Sequence, residues 1–379
     1  MARIGATPGG GVHRLTLSDA DREARDLFAK WCGEAGLSVA VDEMGNMFAR
    51  RPGADEAAPP AMLGSHLDSV PCGGRFDGSL GVLAALEVVR SLNDRGLRTR
   101  RPLEIVNWTN EEGPRFPPAM LGSGVFCGKY ARDWAYQVRD SEGRRFGEEL
   151  ARIGYQGTLP CRPRPLGCYL ELHIEQGPVL ETEKVQAGVV EGIVGIAWLR
   201  VTLKGERDHA GPTPMAMRRD ALVGAARVIA AVRAMPAALH PDMVATVGEL
   251  FVSPNAINVI PGRVTFSVDF RHRDEALMRR ARERVLKAVE DAARGERLEV
   301  EVEDLGGSSP LPFHPEAVGA VEEACRAGGC SFRRMWSAAG HDARYAAELG
   351  PTAMIFIPCA GGKSHCEEED AAWEDVARG

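Results

Sequence analysis

Cysteine is sparse and unpatterned in this chain: nine residues in 379, an odd number with no Cys-x-x-Cys pair. At this length that argues against a disulfide framework and for a reducing, cytoplasmic setting. Positive charge is short as well, with 46 Lys and Arg against 53 Asp and Glu and a net charge of −7. A nucleic-acid binder needs a basic footprint, so nucleic acid is not an expected partner. No apolar run approaches the ~20 residues of a membrane span. The opening Met1-Ala2-Arg3-Ile4-Gly5 carries no apolar signal-peptide core, so no membrane partner is expected. The Gly9-Gly10-Gly11 run is not a phosphate loop, because no strand precedes it and no Gly-Lys-Ser/Thr follows. Low-complexity tracts and internal repeats are missing too.

What the chain does have is apolar content and length. Hydrophobic residues make up 44% and charged residues 26%, which excludes a largely disordered chain. At ~150 residues per domain, the length points to about two domains.

Up to about residue 190, strand-like and helix-like stretches alternate. Ser18 to Ala35 reads as a helix capped by Ser18 and stopped by Gly36. Ala61-Met62-Leu63 reads as a buried strand ending at Gly64, Gly78 to Leu92 as a buried helix, and Leu103 to Trp108 as another strand. This rhythm predicts an α/β fold with a largely parallel sheet, whose functional groups gather beyond the C-terminal ends of strands. From Glu191 the texture changes to a β-α-β-β-α-β order, with strands at Ile193 to Leu203, Ala245 to Leu250, Arg263 to Arg271 and Leu298 to Val302. That order predicts a small split βαβ domain. The basic run Arg279, Arg280, Arg282 and Arg284 reads as a solvated helix face. After a linker, Gly306 to Pro310, the first texture returns, with a helix at Pro315 to Ala327 and a strand at Ala353 to Ile357. One domain is therefore inserted in another: residues 1–190 plus 306–379 enclose residues 191–305.

Metal-ligand side chains collect at the ends of these elements. His66-Leu67-Asp68 follows the first strand, where Asp68 is placed to orient His66 by accepting its second ring N–H. Asp77 opens the buried helix; taken alone it is an N-cap. Glu111-Glu112 follow the strand Leu103 to Trp108. Two adjacent carboxylates can divide the work, one holding a metal while the other stays free as a base. His173 ends another strand, and His365 follows the last. Any one of these is ordinary, and a single strand-end histidine is more often structural. Together, His66, Asp77, Glu112, His173 and His365 form a mixed imidazole and carboxylate set. Such a set suits Zn²⁺, Mn²⁺, Co²⁺ or Ni²⁺ better than Ca²⁺ or Mg²⁺.

The chain resembles the metallopeptidase family of aminoacylases and dipeptidases. Within it, the likeness is to the branch of N-carbamoyl-L-amino-acid hydrolases, β-ureidopropionases and allantoate amidohydrolases. The segments that carry the likeness are Gly64 to Pro71, Gly74 to Gly78, Trp108 to Gly113, Leu172 to Glu181, Asp208 to Met215, Asn258 to Gly262, Asp269 to Arg271 and Ser337 to Ala343. With His365 they run through nearly the whole chain. The resemblance implies a zinc-peptidase-like α/β/α catalytic domain with an inserted lid that dimerises, hence a homodimer. It implies two divalent metal ions per subunit, with His66 and His173 as ligands, Asp77 as the bridge, and Glu112 and His365 holding the second metal. How the five ligands divide between the two ions stays open. It also implies Glu111 as general base, Asp68 as orienting residue and His209 as oxyanion donor across the dimer. Arg271 with Asn258 would clamp a substrate carboxylate, and Gln176, Gly340 and His341 would be further substrate contacts.

The implied reaction is hydrolysis of the ureido group of N-carbamoyl-L-amino acids. Allantoate amidohydrolase is the alternative, ahead of β-ureidopropionase and an N-acyl-amino-acid or dipeptide hydrolase. A non-catalytic binding module that kept the fold is a fifth reading, and the complete set of ligands speaks against it. The tail departs from the family pattern: Cys366-Glu367 stand where relatives often have a small residue or Asn followed by Pro.

Overall fold

Strands buried on both faces need cover from both sides, and the centre of the first sheet is built from four largely buried ones. The computed structural model describes residues 1–379, and the chain divides into two units, Met1–Gly192 with Pro312–Gly379, and Ile193–Leu311.

The first unit holds a nine-stranded mixed sheet. Its centre runs Leu103–Trp108, Ala61–His66, Cys168–Ile174, Thr352–Ile357, all parallel. Antiparallel strands flank it, with Met47–Arg51 on Leu103–Trp108 and Ala187–Ile193 on Thr352–Ile357. Leu103–Trp108 is buried at every position. The helix Ser79–Asp94 packs Val82, Ala85, Leu86 and Val89 with Met47, Ala49 and Ile105 of the sheet and with Phe28 and Cys32 of the helix Asp19–Glu34. The latter helix starts as expected, with the Ser18 hydroxyl accepting from the Asp21 amide at 3.2 Å. Gly36 follows its end in the left-handed region, φ +77°.

The first strand does not stop at Gly64; it runs on to His66. Gly64 has φ +151°, and a Cβ there would lie 2.0 Å from the Val106 carbonyl oxygen. The glycine therefore allows a close approach between neighbouring strands and does not end one.

The second unit is a five-stranded antiparallel sheet ordered Leu250–Ser253, Arg263–His272, Gly195–Lys204, Glu299–Ser308, with Val244–Thr246 also paired to Arg263–His272. The helices Ala221–Leu239 and Glu275–Glu296 bury Ala225, Val228, Val232, Val285 and Val289 against Leu199, Val201, Val264 and Phe266 of this sheet. Asp220 caps the first, its carboxylate accepting from the Leu222 and Val223 amides. By length and composition alone that 19-residue helix would pass for a membrane span, which the sequence reading missed; its buried face belongs to this core. The stretch 306–308, read as linker, is strand. Gly306 and Gly307 pair with Trp198 and Ala197 past a bulge at Asp304, and a Cβ on Gly307 would lie 2.0 Å from the Ile196 oxygen. A separate two-stranded ribbon pairs Asp208–His209 with Val259–Ile260.

Candidate metal centre and active site

Three of the four central parallel strands deliver polar residues at their C-terminal ends. His66 is the last residue of its strand, and His173 is the last but one of Cys168–Ile174. Asn110 turns the chain after Trp108 with φ +61°, fixed by its amide donating to the Phe116 and Pro118 oxygens, and Glu111 and Glu112 follow. Asp77 enters from the start of Ser79–Asp94. It is not the cap of that helix: the N-cap is Gly78, and no side chain caps it. Gly78 has φ +61°, and a Cβ there would meet the His66 ring at 2.3 Å.

The five expected ligands come together around Asp77. Its Oδ1 faces His173 Nε2 at 3.1 Å and His66 Nε2 at 3.7 Å. Its Oδ2 faces His365 Nε2 at 3.3 Å, and His365 Nε2 faces Glu112 Oε2 at 3.5 Å. The ligand atoms of His66, Asp77 and His173 lie within 4.8 Å of one another, as do those of Asp77, Glu112 and His365. Two ligands at tetrahedral angles on a zinc ion, each ~2.0–2.1 Å from it, are roughly 3.3 Å apart. The observed separations scatter about that value.

The ring tautomers fit as well. His66 Nδ1 bonds the main-chain oxygen of Asp68 at 2.9 Å, and His173 Nδ1 that of Ile174 at 2.9 Å. Each Nδ1 is thereby the donor, and each Nε2 turns toward a carboxylate. Acceptors facing acceptors across such gaps call for a cation or a proton between them. These five residues therefore fit a pair of divalent ions bridged by Asp77.

The electrostatics of the metal-free chain agree. Burial opposes ionisation of Asp77, but hydrogen bonds and charge from His173 and His365 hold its carboxyl well below the usual range. Burial opposes protonation of His173, but Asp77 outweighs it and lifts the imidazole to about 9. Glu111 and Glu112 are both pushed well up, first by burial and then by neighbouring carboxylates, Asp342 foremost for Glu111 and Asp77 for Glu112. Glu111 Oε2 stands 3.6 Å from His66 Nε2, beside the ligands but outside both triplets.

Asp68 acts differently from the expectation. Its carboxylate is 3.8 Å from His66 Nδ1, and the ring bonds the Asp68 main-chain oxygen instead. The carboxylate accepts from the Glu111 and Glu112 amides, each at 3.3 Å, and from the Thr16 hydroxyl at 2.6 Å. It clamps the loop that carries the acid pair.

The expected substrate contacts fall in both units. In the first, Gln176 has φ +59° and donates through Nε2 to Asp77 Oδ2 at 2.9 Å, while its Oε1 is buried without a partner. His341 is buried, bonds Ser337 Oγ through Nε2 at 2.9 Å and meets the His173 ring edge-on at 4.6 Å. Burial and then the neighbouring His173 hold it well below the usual imidazole value, so it is neutral. Gly340 precedes it, where a Cβ would sit 3.3 Å from the Met120 methyl. In the second unit, His209 pairs with Val259 on the two-stranded ribbon, and Asn258 just precedes that strand, its main-chain oxygen accepting from the Ala210 amide. Arg271 sits on a different sheet, and its guanidinium holds Asp269, with Nη2 to Oδ2 at 2.6 Å.

Several supporting residues escaped the sequence reading. Glu171 is fully buried and accepts from Ser65 Oγ at 2.7 Å, Tyr169 OH at 3.0 Å and the Ala343 amide at 3.2 Å. Asp342 accepts from Ser123 Oγ. Glu369 accepts from the amides of Phe76 and Asp77. Glu171 did leave a signal: it shares the strand face of Tyr169 and His173 in an otherwise apolar strand. Asp342 sits beside the quoted Gly340-His341 segment, and Glu369 is hidden in an acidic run.

The match to known proteins follows these features along the chain. The model of Peptidase family M20/M25/M40 matches residues 62–379. The chain belongs to this family. It is 48% identical over 381 residues to the N-carbamoyl-L-amino-acid amidohydrolase of Rhizobium meliloti, a match covering 100% of this chain and 91% of that one. It is 34% identical over 383 residues to the allantoate amidohydrolase of Escherichia coli, covering 100% and 93%. The solved structure of a hydantoinase/carbamoylase family amidase from Burkholderia multivorans superposes with a TM-score of 0.96 at 50% identity, covering 100% and 92%. The resemblance read from the motifs holds for the M20 family and for its amidohydrolase branch, and the fold matches.

Proposed function

We propose that the chain is a two-metal amidohydrolase that cleaves the ureido group of N-carbamoyl-L-amino acids to the free amino acid, ammonia and carbon dioxide. The carrying observation is the pair of ligand triplets that share Asp77, with Glu111 beside them and in neither. His66, Asp77 and His173 would hold one ion; Asp77, Glu112 and His365 would hold the other. Zn²⁺, Mn²⁺, Co²⁺ and Ni²⁺ all suit this donor set. Bound there, the ions supply Lewis-acid polarisation of the carbamoyl oxygen and a lowered pKa for water.

The residues carry the proton and place the substrate. Glu111 takes a proton from the attacking water, whose oxygen bonds to the carbamoyl carbon. When the C–N bond breaks, Glu111 returns that proton to the departing nitrogen. The carbamic acid left behind loses carbon dioxide, so one water balances the reaction. His209, supplied by a second copy in a homodimer, stabilises the oxyanion. Arg271, released from Asp269, and Asn258 take the substrate carboxylate in a planar fork. Gln176, Gly340 and His341 line the remainder, and the second unit acts as lid and dimerisation domain. The nine unpaired cysteines support a reducing, cytoplasmic setting.

Allantoate is the second reading, favoured by the 34% identity to the Escherichia coli enzyme, against 48% for the carbamoyl-amino-acid enzyme of Rhizobium meliloti. Ammonia release from metal-reloaded protein decides between them, using N-carbamoyl-L-amino acids, one D-enantiomer, N-carbamoyl-β-alanine and allantoate, with and without chelator. Chelator-sensitive release from the L-compounds supports the proposal. Release from allantoate alone moves the substrate, and silence with metal bound refutes a ureido substrate.

A further inference from the structure

The two metal positions are held in unequal ways. The rings of His66 and His173 are each pinned by a main-chain oxygen at 2.9 Å inside buried strand ends. His365 lies on a loop, is 53% exposed in its side chain and has no main-chain oxygen on its ring; its Nε2 meets side chains only, Asp77 Oδ2 at 3.3 Å, Gln176 Nε2 at 3.4 Å and Glu112 Oε2 at 3.5 Å. What ties that loop to Asp77 is Glu369, itself only 2% exposed. Its Oε1 accepts from the Phe76 amide at 3.2 Å and the Asp77 amide at 3.0 Å, and its Oε2 accepts from the Ser364 hydroxyl at 2.8 Å. One carboxylate thus spans the backbone of the bridging ligand and the residue next to His365. Space is kept for it: a Cβ on Gly74 would lie 1.9 Å from Glu369 Oε1.

We infer that Glu369 is a positioning residue that sets the affinity of the Asp77/Glu112/His365 position and leaves the His66/Asp77/His173 position largely unchanged. The inference rests on the two-metal reading above. An uncharged amide cannot replace Glu369, because it offers one oxygen where the carboxylate offers two. Outer groups that orient metal ligands are typically worth ~10–100-fold in metal affinity. That factor falls here on one ion of the two.

The test is metal stoichiometry and not turnover. Metal-free wild type, E369Q, E369A, S364A and G74A are dialysed against stepped free Zn²⁺ set by a competing chelator, and bound zinc per chain is counted by mass spectrometry. Wild type takes up two ions. E369A binds its first ion at wild-type affinity and its second 10–100-fold more weakly, with E369Q and G74A between and S364A nearest wild type. Circular dichroism of the metal-free proteins confirms that each is folded; if E369A is not, E369Q and G74A decide. Two unshifted binding steps in folded E369Q and G74A overturn the inference, and so does equal weakening of both. A wild type that takes up fewer than two ions refutes instead the two-metal reading beneath it.

Discussion

Replacing Glu111 by Gln separates proton transfer from metal binding. The side chain keeps its volume, and the Glu111 amide, 3.3 Å from Asp68 Oδ1, keeps its bond, so the loop holds its place. Glu111 lies outside both ligand triplets, so the two ions stay. What disappears is a carboxylate 3.6 Å from His66 Nε2, buried enough that no bulk water stands in for it. One positioned acid or base is worth roughly 10²–10⁴-fold, about 3–5 kcal/mol of barrier. Glu111 serves both the attack and the departure, so the loss falls at the upper end, ~10⁴-fold. The assay is ammonia release at saturating N-carbamoyl-L-amino acid, with zinc counted on the same sample. Turnover within tenfold of wild type, with both ions bound, would refute Glu111 as the proton carrier. Loss of an ion would make Glu111 a ligand and overturn the division of labour between the two acids.

Other perturbations follow from the same geometry. Gly78→Ala drives a methyl into the His66 ring, 2.3 Å from the ideal Cβ position, at a backbone angle alanine rarely adopts. Zinc bound by His66 and His173 should fall below half occupancy at metal levels that saturate wild type, and full occupancy would refute the contact. His173, lifted to about 9 by Asp77, is protonated in the metal-free chain at neutral pH and must lose that proton to bind metal. Apparent zinc affinity should therefore rise about tenfold or more per pH unit up to pH ~8 and flatten above the imidazole's value; a flat profile between pH 7 and 8.5 would refute this. Arg25→Met leaves Asp21 buried without its partner, a pair whose side chains are both 0% exposed. The expected cost is about 3–5 kcal/mol by urea denaturation, and a cost below about 1 kcal/mol would show that Asp21 simply takes up a proton.

Much of the site was legible because the side chains gathered around Asp77 sit in short motifs at the ends of strands and the start of a helix, where hydrophobic alternation stops and a charged residue needs another explanation. The sheet centre, the helix Pro315–Ala327 and the inserted second texture were legible for the same reason: period and apolar run length are local properties. Glycine misled twice. Gly64 and Gly307 read as punctuation, yet both lie inside strands where a neighbouring carbonyl comes too close for a side chain. That proximity is tertiary and leaves no local trace. Asp68 shows a subtler limit: the residue was identified, but which of its oxygens meets His66 depends on how the loop of Glu111 folds back over it. Glu369 was invisible, because an acid that closes a loop 292 residues away looks like its exposed neighbour Glu368.

The sharing of Asp77 between the two triplets has a thermodynamic consequence. Each of its oxygens faces a different triplet, so an ion held at Oδ1 would alter the charge and orientation offered at Oδ2. The two binding events are then linked, and linkage is reciprocal: whatever factor the first ion imposes on the second, the second imposes on the first. The affinity of either position then depends on whether the other is filled. An ion already bound draws on the shared carboxylate and repels a second cation, so the second would bind less tightly, and falling metal supply would thin the population of fully loaded molecules more steeply than it lowers the average metal content.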